Sequence, residues 1–306
     1  MNLTKAIAIA RALGGSSGSG GGGSGGGWPE VPNDGATYLY ISLAEGRTSP
    51  MLGVGVNGTV TVDWGDGTKP DVLTGTNVAA AYTQWTTNHD YAAPGNYVIR
   101  LTVDGEMQFT GSSSDGTYII RHAKTKDTRN RAYNHALKRV VIGENVVGIY
   151  SYAFQDCCSL SSVTIPDSVS IGSYSFMNCF DLAAVKIPDI QTRIFTSAFE
   201  GCHSLKTIVI PSSVTQIDAS AFSSCYFLES MTMQGNVLTI AGSAFTKCYV
   251  MRCYDFTACT AVPALSATSA FNNIPADCEI RVPAALYDEW IAATNWATYA
   301  ANIKAY

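Results

Sequence analysis

Apolar residues recur with a long, regular period in the second half of the chain. Four stretches each place a Leu, an apolar residue three positions later and another two positions after that; they begin at Leu160, Leu182, Leu205 and Leu228. A Phe followed three residues later by a Cys accompanies them, at Phe154/Cys157, Phe176/Cys179, Phe199/Cys202, Phe222/Cys225 and Phe245/Cys248. Successive members lie 22 or 23 residues apart. This period predicts a solenoid in which each coil buries its apolar positions against the next.

The same positions predict what packs inside the solenoid. Strands of adjacent coils pair at about 4.8 Å, so the Leu, Val or Ile, Phe and Cys positions should form continuous inward ladders. We interpret the evenly spaced cysteines as small buried groups rather than metal ligands or disulfides. The repeats are predicted over 137–280, with 108–136 as a connector and N-terminal cap. Residues 281–306, which include Trp290 and Trp296, are predicted to form a helical C-terminal cap.

The repeat resembles the BspA-like leucine-rich-repeat family. The resemblance rests on the pattern L-x-x-V/I-x-I-P followed by A-F-x-x-C, as in residues 205–211 and 221–225, and on the ending VPAALYDEW at 282–290. It implies a leucine-rich-repeat solenoid that acts in extracellular recognition or adhesion, most often in gut and oral bacteria or their phages. It implies no catalytic residue.

Residues 28–107 show shorter alternating segments separated by turn residues, which predict a small β-sandwich. The turn VDWGDGT at 62–68 and the later segment at 89–103, which begins HDYAAPGNY, resemble the polycystic-kidney-disease (PKD) domain. That resemblance implies an immunoglobulin-like spacer or adhesion module. Asp63 and Asp66 have two interpretations: a calcium site, since paired carboxylates suit a hard cation, or a turn that Asp66 supports by bonding its own backbone.

The N-terminal segment differs from the rest in composition. Residues 1–13 place Leu3, Ile7, Ile9 and Leu13 at a spacing compatible with a short amphipathic helix, in an apolar run too short for a secretory signal. Residues 14–27 are only Gly and Ser, which predicts a flexible tether with a typical span of about 20 Å. We interpret 1–13 as a peptide that docks into a larger assembly, either on another protein or by self-association.

Composition and charge narrow the range of functions. The net charge of −5 provides no global basic field for nucleic acid, and no apolar run reaches the roughly 18 residues of a membrane helix. The local basic cluster Arg121, Lys124, Lys126, Arg129, Arg131, Lys138 and Arg139 is interpreted as a solvated cap, with an acidic partner or polyanionic glycan as the alternative. The four histidines have no evident nucleophile partner, so we expect no enzyme activity and no cofactor.

Two surfaces are candidates for binding. Residues that follow the ladder cysteines would stack into an aromatic stripe of Phe180, His203, Tyr226, Phe227 and Tyr249. Exposed aromatic rings suit a sugar or protein partner; the alternative is that these rings pack over neighbouring coils and close the loop side. The strand-face residues Lys186, Lys206, Val209 and Thr232 form the second surface.

The order of docking helix, tether, spacer sandwich and solenoid favours one function over two others. It favours a phage- or prophage-encoded receptor-binding or decoration protein, from a phage of a gut bacterium, carried on the virion and binding a cell-surface glycan or protein. A bacterial cell-surface adhesin is the first alternative. A structural repeat that self-assembles into homo-oligomers is the second.

Overall fold

The computed structural model describes residue 28 and residues 30–76, 85–112, 116–117, 119–122 and 134–306. At positions 85, 86, 112, 116, 117, 121 and 122 it describes the backbone alone. The docking peptide 1–13 with Leu3, Ile7, Ile9 and Leu13, the tether 14–27 and most of the basic cluster lie outside the described residues. These remain predictions.

The described chain is mainly β, as predicted, and its N-terminal part consists of antiparallel strands. They are β1 Thr37–Leu43, β2 Pro50–Asp63, β3 Asp71–Thr76, β4 Trp85–Asn88, β5 Gly95–Phe109, β6 Gly111–Ser112, β7 Gly116–Thr117 and β8 Arg121–His122. β5 pairs with β1 and with β2. β2 changes partners along its length: residues 50–54 pair with β4 and β8, and residues 57–62 pair with β3.

β1 is buried on both faces, which explains its nearly continuous apolar sequence. Leu39, Ile41 and Leu43 join the main hydrophobic core on one face. Tyr38 and Tyr40 lie on the other face, where Tyr40 meets Trp28 edge-on at 5.4 Å between ring centroids.

Residues from 137 onward form a β-solenoid of about seven turns. The main sheet takes β9 Leu137–Val141, β11 Ser162–Thr164, β14 Thr207–Ile210, β16 Ser230–Met233, β18 Cys253–Asp255, β20 Glu279–Val282 and β21 Ile303–Ala305. Shorter strands form a second row: β10 Val146–Ile149, β12 Ser170–Ile171, β13 Arg193–Ile194, β15 Gln216–Ile217, β17 Thr239–Ile240 and β19 Ala264–Leu265. All strand pairs between successive coils are parallel.

The predicted inward ladders are confirmed. The repeat phenylalanines are fully buried and stack coil upon coil, with ring centroids 5.2–5.5 Å apart from Phe154 to Phe245. All nine cysteines are free, and each of the last four ladder thiols donates to a Phe carbonyl of the preceding coil. In the first of these bonds the Cys179 Sγ lies 3.2 Å from the Phe154 carbonyl oxygen. Each of these carbonyls also accepts the backbone N–H of the Cys in its own coil, so the thiol adds a second bond that ties successive coils together.

The loop side of each coil turns through the left-handed backbone region, two residues before and two residues after the Phe. Positive φ angles of 52–63° occur at Tyr152, Tyr174, Ser197, Ser220 and Ser243 before it, and at Asp156, Asn178, Ser224 and Lys247 after it. Gly201 takes the second position in its coil at φ 73°. Asn, Asp and Gly tolerate this conformation best, and the loop-side bonds to the next coil hold the other residue types in it.

Strand pairing joins the N-terminal part directly to the first coil. β1 pairs antiparallel with β9, and β5 pairs parallel with β10 through residues 107–109. The N-terminal edge of the solenoid is therefore covered by β1 and β5, whereas the sequence assigned this cap to 108–136. Of that connector, Ile119 and Ile120 are buried in the core, and residues 113–115, 118 and 123–133 lie outside the described residues.

The C-terminal end contains one short helix, α1 Tyr287–Ala292, flanked by two 3-10 turns. Trp290 and Trp296 are fully buried beneath the last coils, and Trp296 Nε1 donates to the Pro263 carbonyl at 2.8 Å. The chain ends in β21, which adds a last parallel strand to β20, so segment 281–306 is only partly helical. In the part of the chain that the structure describes, no helix has the length and apolarity needed to span a membrane.

Candidate functional site

Both rows of strands are interrupted around the third coil, which begins at Leu182. In the main sheet, β11 makes only a single bridge to the third coil, from Ser162 to Ala184. The ladder resumes at β14, in the fourth coil. In the second row, β12 ends one sheet and β13 begins another. The second coil has one residue fewer than the third between its Pro and its Phe, 166–176 against 188–199. The shortened segment contains β12, which still pairs with β10 of the first coil but not with β13 of the third.

A buried glutamine bridges the interruption. Gln191 occupies the core position that Val169, Val214 and Val237 hold in other coils, and it is 3% exposed. Its Oε1 accepts from the Ile171 N–H at 2.9 Å, while its Nε2 donates to the carbonyls of Ile171 and Arg193 at 2.9 and 2.6 Å. The side-chain amide thus replaces the backbone bonds missing between β12 and β13.

The main-sheet side of the interruption carries an open groove of about 670 Å³. Its lining side chains are small or medium in size and come from four successive coils: Ser162, Val163, Ala184, Val185, Lys186, Ile187, Asp189, Thr207, Val209, Pro211 and Gln234. Val209 is 47% exposed, although it lies on a regular strand. Lys186 and Val209 were predicted on the strand face; the groove itself was not predicted.

One ammonium group and two carboxylates lie at the groove, so its charged groups are acidic on balance. The Lys186 ammonium donates to both carboxylate oxygens of Asp167, at 2.6 and 2.7 Å, and lies 4.0 Å from Asp189. The hydrogen bond to Asp167 raises the pKa of Lys186, and the same bond lowers the pKa of Asp167. Both side chains are more than half exposed, so the pair positions charge at the rim and contributes little to stability.

The predicted aromatic stripe forms a stacked column on the loop side. Phe180 and His203 stack at 4.4 Å, His203 and Tyr226 at 4.5 Å, and Tyr226 and Tyr249 at 5.5 Å. The first three rings are 6–7% exposed, while Tyr249 and Phe227 are partly exposed. The expected exposure is therefore wrong for Phe180, His203 and Tyr226, because each ring covers the face of the next. This geometry favours the packing alternative, and ligand binding by these five residues remains a prediction.

His203 is the one polar ring within this column. Its Nδ1 is buried without a hydrogen-bond partner, and burial lowers the pKa of His203 to about 4. The ring is therefore neutral near pH 7 and packs as an aromatic group.

The WGDG turn holds its own side chains together. The Tyr91 hydroxyl donates to the Trp64 carbonyl at 2.8 Å, and the His89 ring stacks on Trp64 at 4.9 Å. Burial raises the pKa of Asp66, but hydrogen bonds from Thr68 and His89 outweigh this effect and lower the pKa to about 2. Asp63 accepts from the Gly65 N–H at 3.0 Å. These bonds favour the structural interpretation of Asp63 and Asp66 over a calcium site.

Side chains suited to metal binding are scattered in the structure. Within the described ranges, no group of three or more His, Cys, Asp or Glu residues is arranged to hold a metal ion. Burial is the main cause of the raised pKa values of Cys179, Cys202 and Cys225, so these ladder thiols are poor nucleophiles and poor ligands.

Sequence reasoning missed the interruption, although the sequence contained two signals of it. One was the coil that is a residue shorter between Pro166 and Phe176. The other was Gln191, a polar residue at a position that is Val in three other coils. Neither signal predicts a groove without knowledge of how the coils stack.

The repeat region is similar to known proteins. A family model described as BspA type leucine-rich repeat region matches residues 128–252 in six copies. No curated protein matches the chain.

Three solved structures are similar over part of the chain. A leucine-rich cell-surface protein from Faecalibacterium prausnitzii shares 34% identity over 44% of this chain and 35% of its own, with a TM-score of 0.37. A leucine-rich-repeat protein from Bacteroides ovatus shares 25% identity over 47% of this chain and 45% of its own, with a TM-score of 0.36. The leucine-rich-repeat protein of T. pallidum shares 21% identity over 45% of this chain and 78% of its own, with a TM-score of 0.38. The chain thus spans about a third of the length of the Faecalibacterium protein.

Proposed function

Since residues 128–252 match BspA-type leucine-rich repeats, we propose that the chain is a non-catalytic recognition protein that binds its partner through the main-sheet groove. The observation that carries this proposal is an open groove of about 670 Å³ where the main sheet is interrupted around the third coil. Binding sites favour concave surfaces that combine apolar area with a few fixed polar groups. Val185, Val209 and Pro211 supply the apolar area, and Ser162 and Thr207 supply hydroxyls.

The groove chemistry favours an extended protein segment over a glycan. The described lining residues include no aromatic ring, and the rings of the loop-side column cover one another's faces. A shallow surface of methyl and hydroxyl groups with one ion pair suits a polypeptide with alternating small side chains. The predicted glycan partner is kept as an outcome of the test.

The test uses the labelled full chain and panels of intact bacterial and animal cells. Thr207→Trp fills the groove with a large side chain that keeps the partner out. We expect the affinity for at least one cell type to fall about tenfold or more, which corresponds to a loss of over about 1.4 kcal/mol of binding free energy. The matched control is Thr215→Trp, an exposed position of the same coil outside the groove. Equal binding by the two variants would rule out the groove.

Treating the cells identifies the partner class. Surface proteolysis should abolish binding if the partner is a protein, and periodate oxidation should abolish it if the partner is a glycan. Loss of binding in Tyr249→Ala but not in Thr207→Trp would instead assign recognition to the exposed end of the aromatic column.

A virion protein and a bacterial surface protein fit this recognition role equally. The tether and the peptide 1–13 support a virion protein. Deletion of 1–13 should then abolish incorporation into particles and leave the rest of the chain folded. A BspA-like adhesin on a bacterial surface is supported by the repeat family. Concentration-dependent light scattering of the purified chain would reveal the third function, end-to-end self-assembly.

The N-terminal strands serve as a PKD-like spacer in this proposal. The contacts of Trp64, His89 and Tyr91 support that assignment, because they join the two motif segments. Pairing of β1 and β5 with the first coil would hold the spacer rigidly on the solenoid.

A further inference from the structure

A second pocket, of about 240 Å³, lies where the N-terminal strands meet the first coil. Its lining residues are Ser42, Leu43, Ala44 and Arg47, at and after the end of β1, and His135, Ala136 and Lys138, at the start of β9. The β1–β9 register shifts between Tyr40 and Ile41. The Ser42 N–H then donates to the Ala136 carbonyl at 2.8 Å. The pocket therefore forms at the end of this ladder and requires both parts of the chain.

Basic side chains are concentrated in this pocket, although the protein as a whole is acidic. Burial lowers the pKa of Lys138, and desolvation followed by the charge of Lys138 lowers the pKa of His135. Asp181 is the acid that acts on both groups, and it only partly offsets these effects. Among the ion pairs of the described residues, none includes Arg47 or Lys138. The pocket thus holds two like charges for which the described residues provide no counter-ion within salt-bridge distance.

We propose that this junction pocket binds a single oxyanionic group, the carboxylate or sulfate of an acidic sugar. Arg and Lys donors together bind such oxygens strongly, and Arg can do so in a bidentate manner. The Ser42 hydroxyl adds a neutral donor. A volume of 240 Å³ is below the roughly 300 Å³ at which drug-sized ligand pockets begin, so one sugar unit fits and a longer chain would extend outside.

The inference is independent of the groove, because the two sites share no lining residue. It also assigns a role to the rigid junction, since β1 and β9 must stay paired for Arg47 and Lys138 to face one ligand.

The test is an NMR titration of the full chain that follows the ring signals of His135, assigned with His135→Asn. The probes are sodium glucuronate, sodium sulfate and, as the neutral control, glucose. We expect a saturable shift with glucuronate or sulfate and none with glucose. Saturation by only one anion identifies the group that the pocket takes. No saturable shift with either anion would overturn the proposal.

Three variants separate the pocket from general charge attraction. Lys138→Gln and Arg47→Gln should each weaken binding about tenfold, the loss expected for one charged hydrogen bond. Arg139→Gln, on the same strand but outside the pocket lining, makes the same charge change, and its guanidinium lies over the Tyr40 ring at 5.0 Å. Equal weakening by Arg139→Gln would overturn the proposal. Arg47 is exposed and lies outside the strands, so Arg47→Gln tests the pocket even if Lys138→Gln fails to fold.

Discussion

The coils from Leu205 to Leu265 and the interruption at 166–194 are built from one repeat but are stabilised differently. In the regular coils, backbone ladders join every strand of both rows, as in β14 with β16 and β15 with β17. At the interruption both rows lose these ladders, and the Gln191 amide replaces part of one. The loop side continues across this level, because the Phe176 N–H still donates to the Ala198 carbonyl at 2.9 Å. A solenoid can therefore lose strand pairing on two sides while the third side keeps the coils stacked.

The difference shows how a repeat protein gains a distinctive site. Regular coils present a nearly uniform surface, since each position is copied from coil to coil. At the interruption, small side chains such as Ala184 lie beside a gap in the ladder, and the groove opens there. Gln191 compensates in the core, where an unpaired backbone group would be costly.

The largest expected effect is on the Phe ladder of the regular coils. Phe222→Ala removes a fully buried ring stacked on both sides, at 5.4 and 5.2 Å. We expect a loss of about 3–5 kcal/mol in the free energy of unfolding, measured by urea denaturation followed by circular dichroism. The exposed substitution Lys206→Ala, in the same coil, is the control and should change it by less than about 0.5 kcal/mol. A loss below about 1 kcal/mol for Phe222→Ala would contradict the shared dry interior.

Acid should destabilise the column through His203. The folded-state pKa of about 4 lies below the ordinary 6.5, so the unfolded chain takes up a proton that the folded chain does not. The contribution of His203 to the free energy of unfolding is therefore fully present above pH 6.5. It decreases as the pH drops from 6.5 to 4, by up to about 3 kcal/mol.

The measurement compares urea unfolding of the native chain and His203→Phe between pH 7.5 and 4. The variant preserves the stack and removes the titration, so its stability should fall less across this window. Parallel pH curves for the two proteins would show that His203 titrates normally and is not held in the column.

Exchanging side chains between the two regions tests the role of Gln191. Gln191→Val gives the interruption the residue of the regular coils, but it leaves the Ile171 N–H and carbonyl without their partner; we expect a loss of about 1–3 kcal/mol. Val214→Gln places an amide in a regular coil whose backbone is already paired, and a similar or larger loss is expected. If Gln191→Val were neutral or stabilising in urea denaturation, the amide bridge would have no energetic role.

The smallest effect concerns thiol accessibility. Burial raises the pKa of Cys179 and Cys225, and both thiols are fully buried. Because the loop side is continuous, Cys179 beside the interruption should react with iodoacetamide as slowly as Cys225 in the regular coils. Half-buried Cys253 should react first. Mass spectrometry of digested samples measures each rate; faster labelling of Cys179 than of Cys225 would show that the coils separate at the interruption.

The repeat was predictable because its cause is local and periodic. Phe176, Phe199 and Phe222 recur at intervals that only stacked coils can bury together, so the spacing already determines the fold and the dry interior. The aromatic column was predictable for the same reason, as Phe180, His203 and Tyr226 follow ladder cysteines. Their burial was not, since the exposed fraction of a ring depends on whether the next coil covers its face.

What the sequence determined by itself is the period, the inward residues and the mainly β solenoid, because one apolar face per coil admits one way of stacking. Tertiary structure alone decided how the coils pack around the interruption. On one side the Gln191 amide replaces missing backbone bonds, and on the other side a groove opens. Tertiary structure also decided that β1 and β5 extend the first coil and bring Arg47 next to Lys138. These outcomes depend on contacts between residues far apart in the chain, and the local pattern of apolar and polar positions does not specify those contacts.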